Sequence, residues 1–373
     1  MHLSDLWFIA IATLWAGYFL LEGFDFGVGI LLPVLGRGAT GRRVMINTIG
    51  PVWDGNEVWL LTAGGAMFAA FPAWYAAMFS AFYLPLLLVL VALILRGVAF
   101  EYRGKRDSAR WRLGWDTALF AGSLVPALLW GVAFGNVLHG IPLNAAQHYT
   151  GNFFSLLNPY ALLGGVTTLT LFSLHGAVFL GLKTTGDLRR RASALAWKIG
   201  VAAVLAGGGF LAWTEASYRA PGHGGTGITS VALAAVAAVT LIGGVLASRS
   251  GREGAAFAGT AVAIVTATGA LFAALYPDVL RSSVSAAYNL TTANASSTAK
   301  TLALMTVIAA IFLPFVLAYQ AWTYWVFRKR ISAPGEATPA FPLPAGPTLP
   351  GGPEGPADLA GPEVPPQPET AGR

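Results

Sequence analysis

Carboxylates set inside apolar runs are the residues of this chain best placed to do chemistry. A charge at bilayer depth costs at least about 2.5–3.5 kcal/mol on insertion scales, so each one calls for a partner or a function. Glu22 and Asp25 lie in "LLEGFDFGVGILLP", three residues apart and therefore on one helix face. Asp54 and Glu57 lie in "IGPVWDGNEVWLLTAGGA" with the same spacing. Glu101 ends the run "ILRGVAFEYR" and Asp116 begins the next. Carboxyls in series suit proton transfer, because they can deliver protons where bare lipid cannot. Asp25 is the hardest to explain away. It precedes Arg37 by about 12 residues, which puts it roughly 15–18 Å inside along a helix. Asp54 and Glu57 follow Pro51 in a first helical turn, where the macrodipole favours carboxylates, so a structural role also accounts for part of their presence. Glu101 and Asp116 are expected at the interface, paired with Arg96, Arg103 or Arg112. The candidate proton path is thus Asp25, Asp54, Glu57 and Glu22, with structural hydrogen bonding as the competing reading.

Other chemistries find little support. The chain has no cysteine, which excludes disulfides, iron–sulfur clusters and thiolate sites. Of the histidines His2, His139, His148, His175 and His223, only His175, in "LFSLHGAVFL", is deep in an apolar run. A lone buried imidazole is more often a hydrogen-bonded structural group than a haem ligand. Met45, Met67, Met78 and Met305 do not pair with a histidine at useful spacing. No haem-binding, metal-binding or catalytic residue is therefore expected in this chain. No Walker loop, nucleophile elbow, Ser-His-Asp spacing or basic-aromatic nucleic-acid motif is present.

The elements that must position the acids are membrane helices. The 373 residues are 55% hydrophobic and 11% charged, with a mean hydropathy of +0.62. Soluble domains carry about 25% charged residues, so a cytosolic enzyme or a nucleic-acid reader is excluded. Nine runs of spanning length are read, at 6–35, 52–70, 76–100, 116–138, 160–182, 195–216, 228–248, 255–275 and 302–327. The second is short and opens with polar residues. None alternates with period two, so the spans are helical. The first run lacks a basic flank and a cleavage site and is expected to stay in the mature chain. Three basic residues, Arg219, Arg281 and Lys300, fall on one side of this topology, and the remaining 20 of the 23 fall on the other. The positive-inside rule then puts the N-terminus outside and the C-terminus in the cytoplasm. The net charge of +6 is a topology signal. Residues 331–373 hold 12 of the 22 prolines and are expected to be a disordered cytoplasmic tail. The longer outer loops, 139–159 and 276–301, are candidates to cover a partner or line an entrance. Gly23, Gly27 and Gly29 allow close helix approach beside the acids.

Several stretches resemble a known family. They are "EGFDFGVGILLP" (22–33), "RRVMINTIGPVWDGNEVWLLTAGGAMFAAFPAWYAAMFSAFY" (42–83), "LRGVAFEYR" (95–103), "WDTALFAGSLVPALLWGVAFGNVLHGIP" (115–142) and "YTGNFFSLLNPYALLGGV" (149–166), with "LYPDVLRSS" (275–283) and "AYNLTTANASS" (287–297) as later anchors. Together they look like subunit II of cytochrome bd-type quinol oxidases. The proline-rich tail is outside the family's pattern.

The resemblance implies an all-α integral membrane protein of nine helices. These form two four-helix bundles, about 1–140 and 160–275, plus a peripheral helix at 302–327. It implies a heterodimer with subunit I in the bacterial cell membrane. Subunit I would hold the b-type and d-type haems and the quinol site. The complex would oxidise quinol near the outer face and reduce O2 to water with protons from the cytoplasm. The acid of "WDGN", here Asp54, is linked in the family to a proton path, and the acid of "GFDFG" is Asp25. Some members hold a structural quinone in subunit II, and the resemblance leaves a small accessory subunit open as a further partner. Two rivals are weighed: an inverted-repeat transporter whose acids couple to an ion, and a purely structural membrane subunit.

Overall fold

The computed structural model describes residues 2–218 and 227–332. The tail beyond residue 332, and Arg219, lie outside the described residues. Among the described residues, eleven α-helices carry the fold: α1 (Leu3–Leu35), α2 (Gly38–Ile49), α3 (Trp53–Ala70), α4 (Pro72–Ala81), α5 (Tyr83–Tyr102), α6 (Ala109–His139), α7 (Pro159–Lys183), α8 (Gly186–Tyr218), α9 (Gly227–Arg249), α10 (Glu253–Leu275) and α11 (Ala299–Val326). Eight of them, α1 and α5 to α11 with α5 counted once, are long and apolar enough to cross a membrane. The expected span at 52–70 is α3, which is helical for 18 residues. Asp54, Asn56 and Glu57 in its first turns keep it too polar to qualify on composition.

Prolines explain where the other expectation shifts. The run 76–100 is two helices, because Pro85 has no N–H to donate to Ala81 and the ladder restarts at Phe82. Pro72 opens α4 at its first position, where a missing N–H costs nothing. The connection 36–51 is not a loop but the short helix α2. Its Val44, Met45, Ile46 and Ile49 are buried, while Arg43 and Asn47 stay exposed.

Helix α1 is the axis of the molecule. It packs against α3, α6, α7 and α10 and buries Trp15, Tyr18, Phe19, Phe24 and Phe26 among them. Its crossing with α7 depends on glycine. A Cβ at Gly27 would stand 2.0 Å from the Phe172 carbonyl oxygen and 2.8 Å from the Gly176 Cα. The two backbones can approach this closely only while both positions lack a side chain.

Helix α11 is peripheral. Only 6% of its most apolar window is buried. It is held at three levels. Trp7 Nε1 donates to Leu302 O (3.2 Å) and Thr306 Oγ1 (3.0 Å) near its start. Tyr324 and Gln320 reach α3 near its end. Beyond it, Ile331 N donates to Lys183 O (2.8 Å), and Arg330 Nη1 donates to Gly181 O (3.1 Å) and Thr184 O (3.0 Å). Exposed Leu, Ile, Val and Phe side chains cover α5 and α11, as lipid or an apolar partner requires.

The two long loops pack on one another. Ile141 N donates to Arg281 O (3.0 Å) and Ser283 N to Ile141 O (2.9 Å). A two-stranded ribbon, β1 (Asp278–Leu280) with β2 (Leu290–Thr291), stiffens the second loop.

Candidate functional site

Four helices bring a polar cluster into the otherwise apolar interior. The buried face of α1 carries Glu22 and Asp25, α3 adds Asn56 and Glu57, α5 adds Arg96, and α11 adds Gln320 and Tyr324. Glu22, Asp25, Asn56 and Arg96 are all fully buried. The Arg96 guanidinium forms an ion pair with Glu22 and donates through Nη1 to Glu57 Oε1 at 2.9 Å. The rings of Phe26 and Phe100 lie 5.0 and 5.5 Å from its carbon and supply cation–π contact. One guanidinium thus serves two carboxylates.

Asp25 takes a different partner. Its Oδ2 accepts from Asn56 Nδ2 at 2.7 Å. Asn56 Oδ1 in turn accepts from Tyr324 OH at 2.7 Å and from Gln320 Nε2 at 3.4 Å. Trp59 Nε1 donates to Gln320 Oε1 at 2.8 Å. A hydrogen-bonded chain therefore runs from Asp25 through Asn56 to the tyrosine hydroxyl of the peripheral helix. Glu22 Oε2, Asp25 Oδ1, Arg96 Nε and Arg96 Nη2 have no protein partner in the cluster. Buried polar atoms of this kind are ordinarily satisfied by water.

Three of the four acids of the expected path lie together: Glu22, Asp25 and Glu57 share the cluster. Asp54 does not enter it. Its side chain is exposed and accepts from the Gly55 N–H at 2.8 Å in the first turn of α3. It lines, with Asn56, Gln320 and Tyr324, a cavity of about 450 Å³ between α3 and α11. Asp54 therefore stands at the mouth of the site, and Asn56 separates it from Asp25.

The expected partners of the interfacial acids are redistributed. Arg96 turns inward to Glu22 and Glu57 and pairs with neither Glu101 nor Asp116. Asp116 pairs with Arg103 (2.5 Å) and with Arg42 (3.0 Å), while Arg112 pairs with Asp107 (2.7 Å). Glu101 is exposed. Arg96 carries a sequence signal of its own: it stands seven residues before Arg103, roughly 10 Å deeper along the helix. Asn56, Gln320 and Tyr324 carry none, because uncharged polar residues are common in membrane helices. His175 is buried, with Nδ1 2.7 Å from Thr260 Oγ1 and its ring stacked on Phe257 at 4.7 Å.

The model of the cytochrome bd terminal oxidase subunit II family matches residues 3–327. The chain belongs to that family. Among its relatives, the cytochrome bd ubiquinol oxidase subunit 2 of Bacillus subtilis is 44% identical over 333 residues, covering 88% of this chain and 97% of the relative. The cytochrome bd-I ubiquinol oxidase subunit 2 of Escherichia coli K12 is 37% identical over 361 residues, covering 88% and 95%. A chain in the structure of bd oxidase from Geobacillus thermodenitrificans superposes with a TM-score of 0.70 at 16% identity, over 87% of this chain and 99% of that one. That likeness concerns the fold. As a subunit II, the chain is a multi-pass membrane component of a haem-containing oxidase complex and has a subunit I as its partner.

Proposed function

We propose that this subunit carries protons toward an oxygen-reducing centre held by subunit I, and that the complex oxidises quinol. The observation behind this is the cluster itself: three carboxylates on two helices gather around one guanidinium that pairs with two of them, and a hydrogen-bonded chain leads from the third, Asp25, to a cavity beside Asp54. Ionising all three acids would leave Arg96 outnumbered. A proton is the small charge that can balance the surplus and still leave again. Reducing O2 to water consumes protons, and by this reading the electrons do not pass through this chain. Among the described residues His175 is the one histidine deep in the bundle; its Nδ1 meets Thr260 and its ring packs against Phe257 and Phe24, while Nε2 has no protein partner, and we read it as a structural group and not as a haem ligand. The b- and d-type haems, the quinol site and the chemistry at them are therefore assigned to the partner, and this chain alone is expected to be inactive.

The distribution of basic residues supports an N-terminus outside and a C-terminus in the cytoplasm. Proton uptake would then start on the arginine-rich side. With quinol releasing its protons outside, turnover would build a gradient without a pump. We read the residues up to about 140 and those at about 160–275 as two bundles, with α11 at the periphery. Among the described residues, an apolar cavity of about 200 Å³, walled by Phe19, Trp130, Phe134, Phe172 and Phe210, is one place of a character that suits a structural quinone ring.

The test is the Asp25→Asn variant in the assembled oxidase. The expected result is slowed quinol-dependent O2 consumption with the haem spectrum unchanged. Unchanged turnover in both Asp25→Asn and Glu57→Gln would assign the cluster to helix cohesion and leave the family assignment intact.

A further inference from the structure

A second polar site lies apart from the acid cluster, at the arginine-rich end of the molecule. Helix α2 forms one wall, the end of α5 and the start of α6 form two more, and Ile331 and Ser332, after α11, close a further side. They enclose a cavity of about 680 Å³ lined by Arg43, Arg103 and Arg112, one arginine from each element. Asn47 adds an amide. Val44 and Phe100 add an apolar side. No carboxylate lines it among the described residues.

The local charge does not balance. Asp116 is shared between Arg103 and Arg42. That group of three keeps one positive charge. Arg112 is matched by Asp107. Arg43 is exposed on α2 and adds a second uncompensated charge. Arginines converging on a cavity whose described lining holds no carboxylate, with a net positive charge left over, suit a phosphate, whose oxygens match the guanidinium fork.

The surroundings argue for a phosphate carried by lipid. Helix α2 has 12 residues, about 18 Å, too short to cross a bilayer. Its apolar residues pack against the bundle and Arg43 and Asn47 face outward, so it caps the arginine-rich ends of the spanning helices with its polar side free for a headgroup. The apolar wall beside the guanidinium groups gives the glycerol and upper acyl chain a place that a free anion would leave unused. Basic cavities between helices at the cytoplasmic surface are where anionic headgroups bind.

We propose that this cavity binds the phosphate of an anionic phospholipid at the junction of α2, α5 and α6. The lipid ties the surface helix to the ends of two spanning helices. Arg43 and Arg112 supply the readable contacts. Arg103 is kept in place by Asp116 and forms the floor.

The purified oxidase complex is reconstituted into nanodiscs of phosphatidylcholine alone or with phosphatidylglycerol. Native mass spectrometry then counts the lipid retained after release. Wild type is expected to keep phosphatidylglycerol in preference to phosphatidylcholine and to melt higher in the mixed discs. Arg43→Gln and Arg112→Gln are each expected to lower that preference roughly fivefold, the effect of one arginine near an anionic surface. Their haem spectra and their melting temperature in phosphatidylcholine discs should match wild type, which separates a lost site from a damaged fold. Equal phosphatidylglycerol retention by wild type and the double variant overturns the site. If inorganic phosphate alone raises the melting temperature in phosphatidylcholine discs and phosphatidylglycerol adds nothing, the site takes free anion and the lipid assignment falls.

Discussion

At the scale of single residues, the decisive feature is Arg96. A guanidinium removed from water loses its hydration, and only close carboxylates repay that loss. Glu22 and Glu57 do so from two different helices, which makes the ion pair a tertiary clamp as well as an electrostatic site. Arg96→Leu is expected to destabilise the subunit by about 3–5 kcal/mol, because it strands buried acids. Adding Glu22→Gln should recover a large part of that loss. Melting curves of the purified complex read both effects, and a single variant as stable as wild type would show that the pair is not formed. Asp25→Asn should behave differently. Its amide can keep a hydrogen bond with Asn56 but cannot release a proton. Its melting temperature should stay near that of wild type while turnover falls about tenfold or more. The acids Glu22, Asp25 and Glu57 were legible in the sequence because a charge in an apolar run stands out. Asn56 and Tyr324 were not, because only their positions across three helices give them a role.

At the scale of elements, α11 and the α1–α7 crossing control the site in different ways. Helix α11 contributes almost no core, yet its Tyr324 hydroxyl closes the hydrogen-bonded chain to Asp25. Tyr324→Phe removes one hydrogen bond, worth about 1 kcal/mol. It should lower turnover severalfold, with little change in the amount of complex recovered. Steady-state O2 consumption normalised to haem measures this. Full activity in that variant would take the tyrosine out of the path. The α1–α7 crossing is structural. Gly27→Val would drive a side chain into the Phe172 carbonyl, already 2.0 Å from the position of a Cβ. The expected outcome is loss of assembled complex on size exclusion, since backbone cannot move aside as a side chain can. Helix ends followed local chemistry: Pro72 and Pro85 mark the breaks on either side of α4. Helix α2 escaped the hydropathy reading because it is short and half polar.

At the scale of the whole molecule, orientation is the open physical variable. The native chain has no cysteine, so single-cysteine variants report topology cleanly. Ala286→Cys, in the loop after α10, should react with a membrane-impermeant maleimide in intact cells. Lys105→Cys, between α5 and α6, should react only after permeabilisation. The reverse pattern would invert the proton route, with uptake starting at the outer face. The positive-inside rule makes the first outcome the expected one, because the 20-to-3 division of basic residues is large.

Composition and run length by themselves determined that this chain is a bundle of membrane helices, since lipid admits no unpaired backbone and few charges. Motif spacing likewise determined the family and marked the acids. Only the tertiary structure decided which charges meet. Arg96 chose Glu22 and Glu57 over nearer acids in the sequence, and Asp54 was left at the surface while its neighbour Asn56 reached Asp25. The physical reason is that a helix fixes which face a residue occupies, whereas its partner depends on how deep each helix sits and how closely glycines let the helices approach.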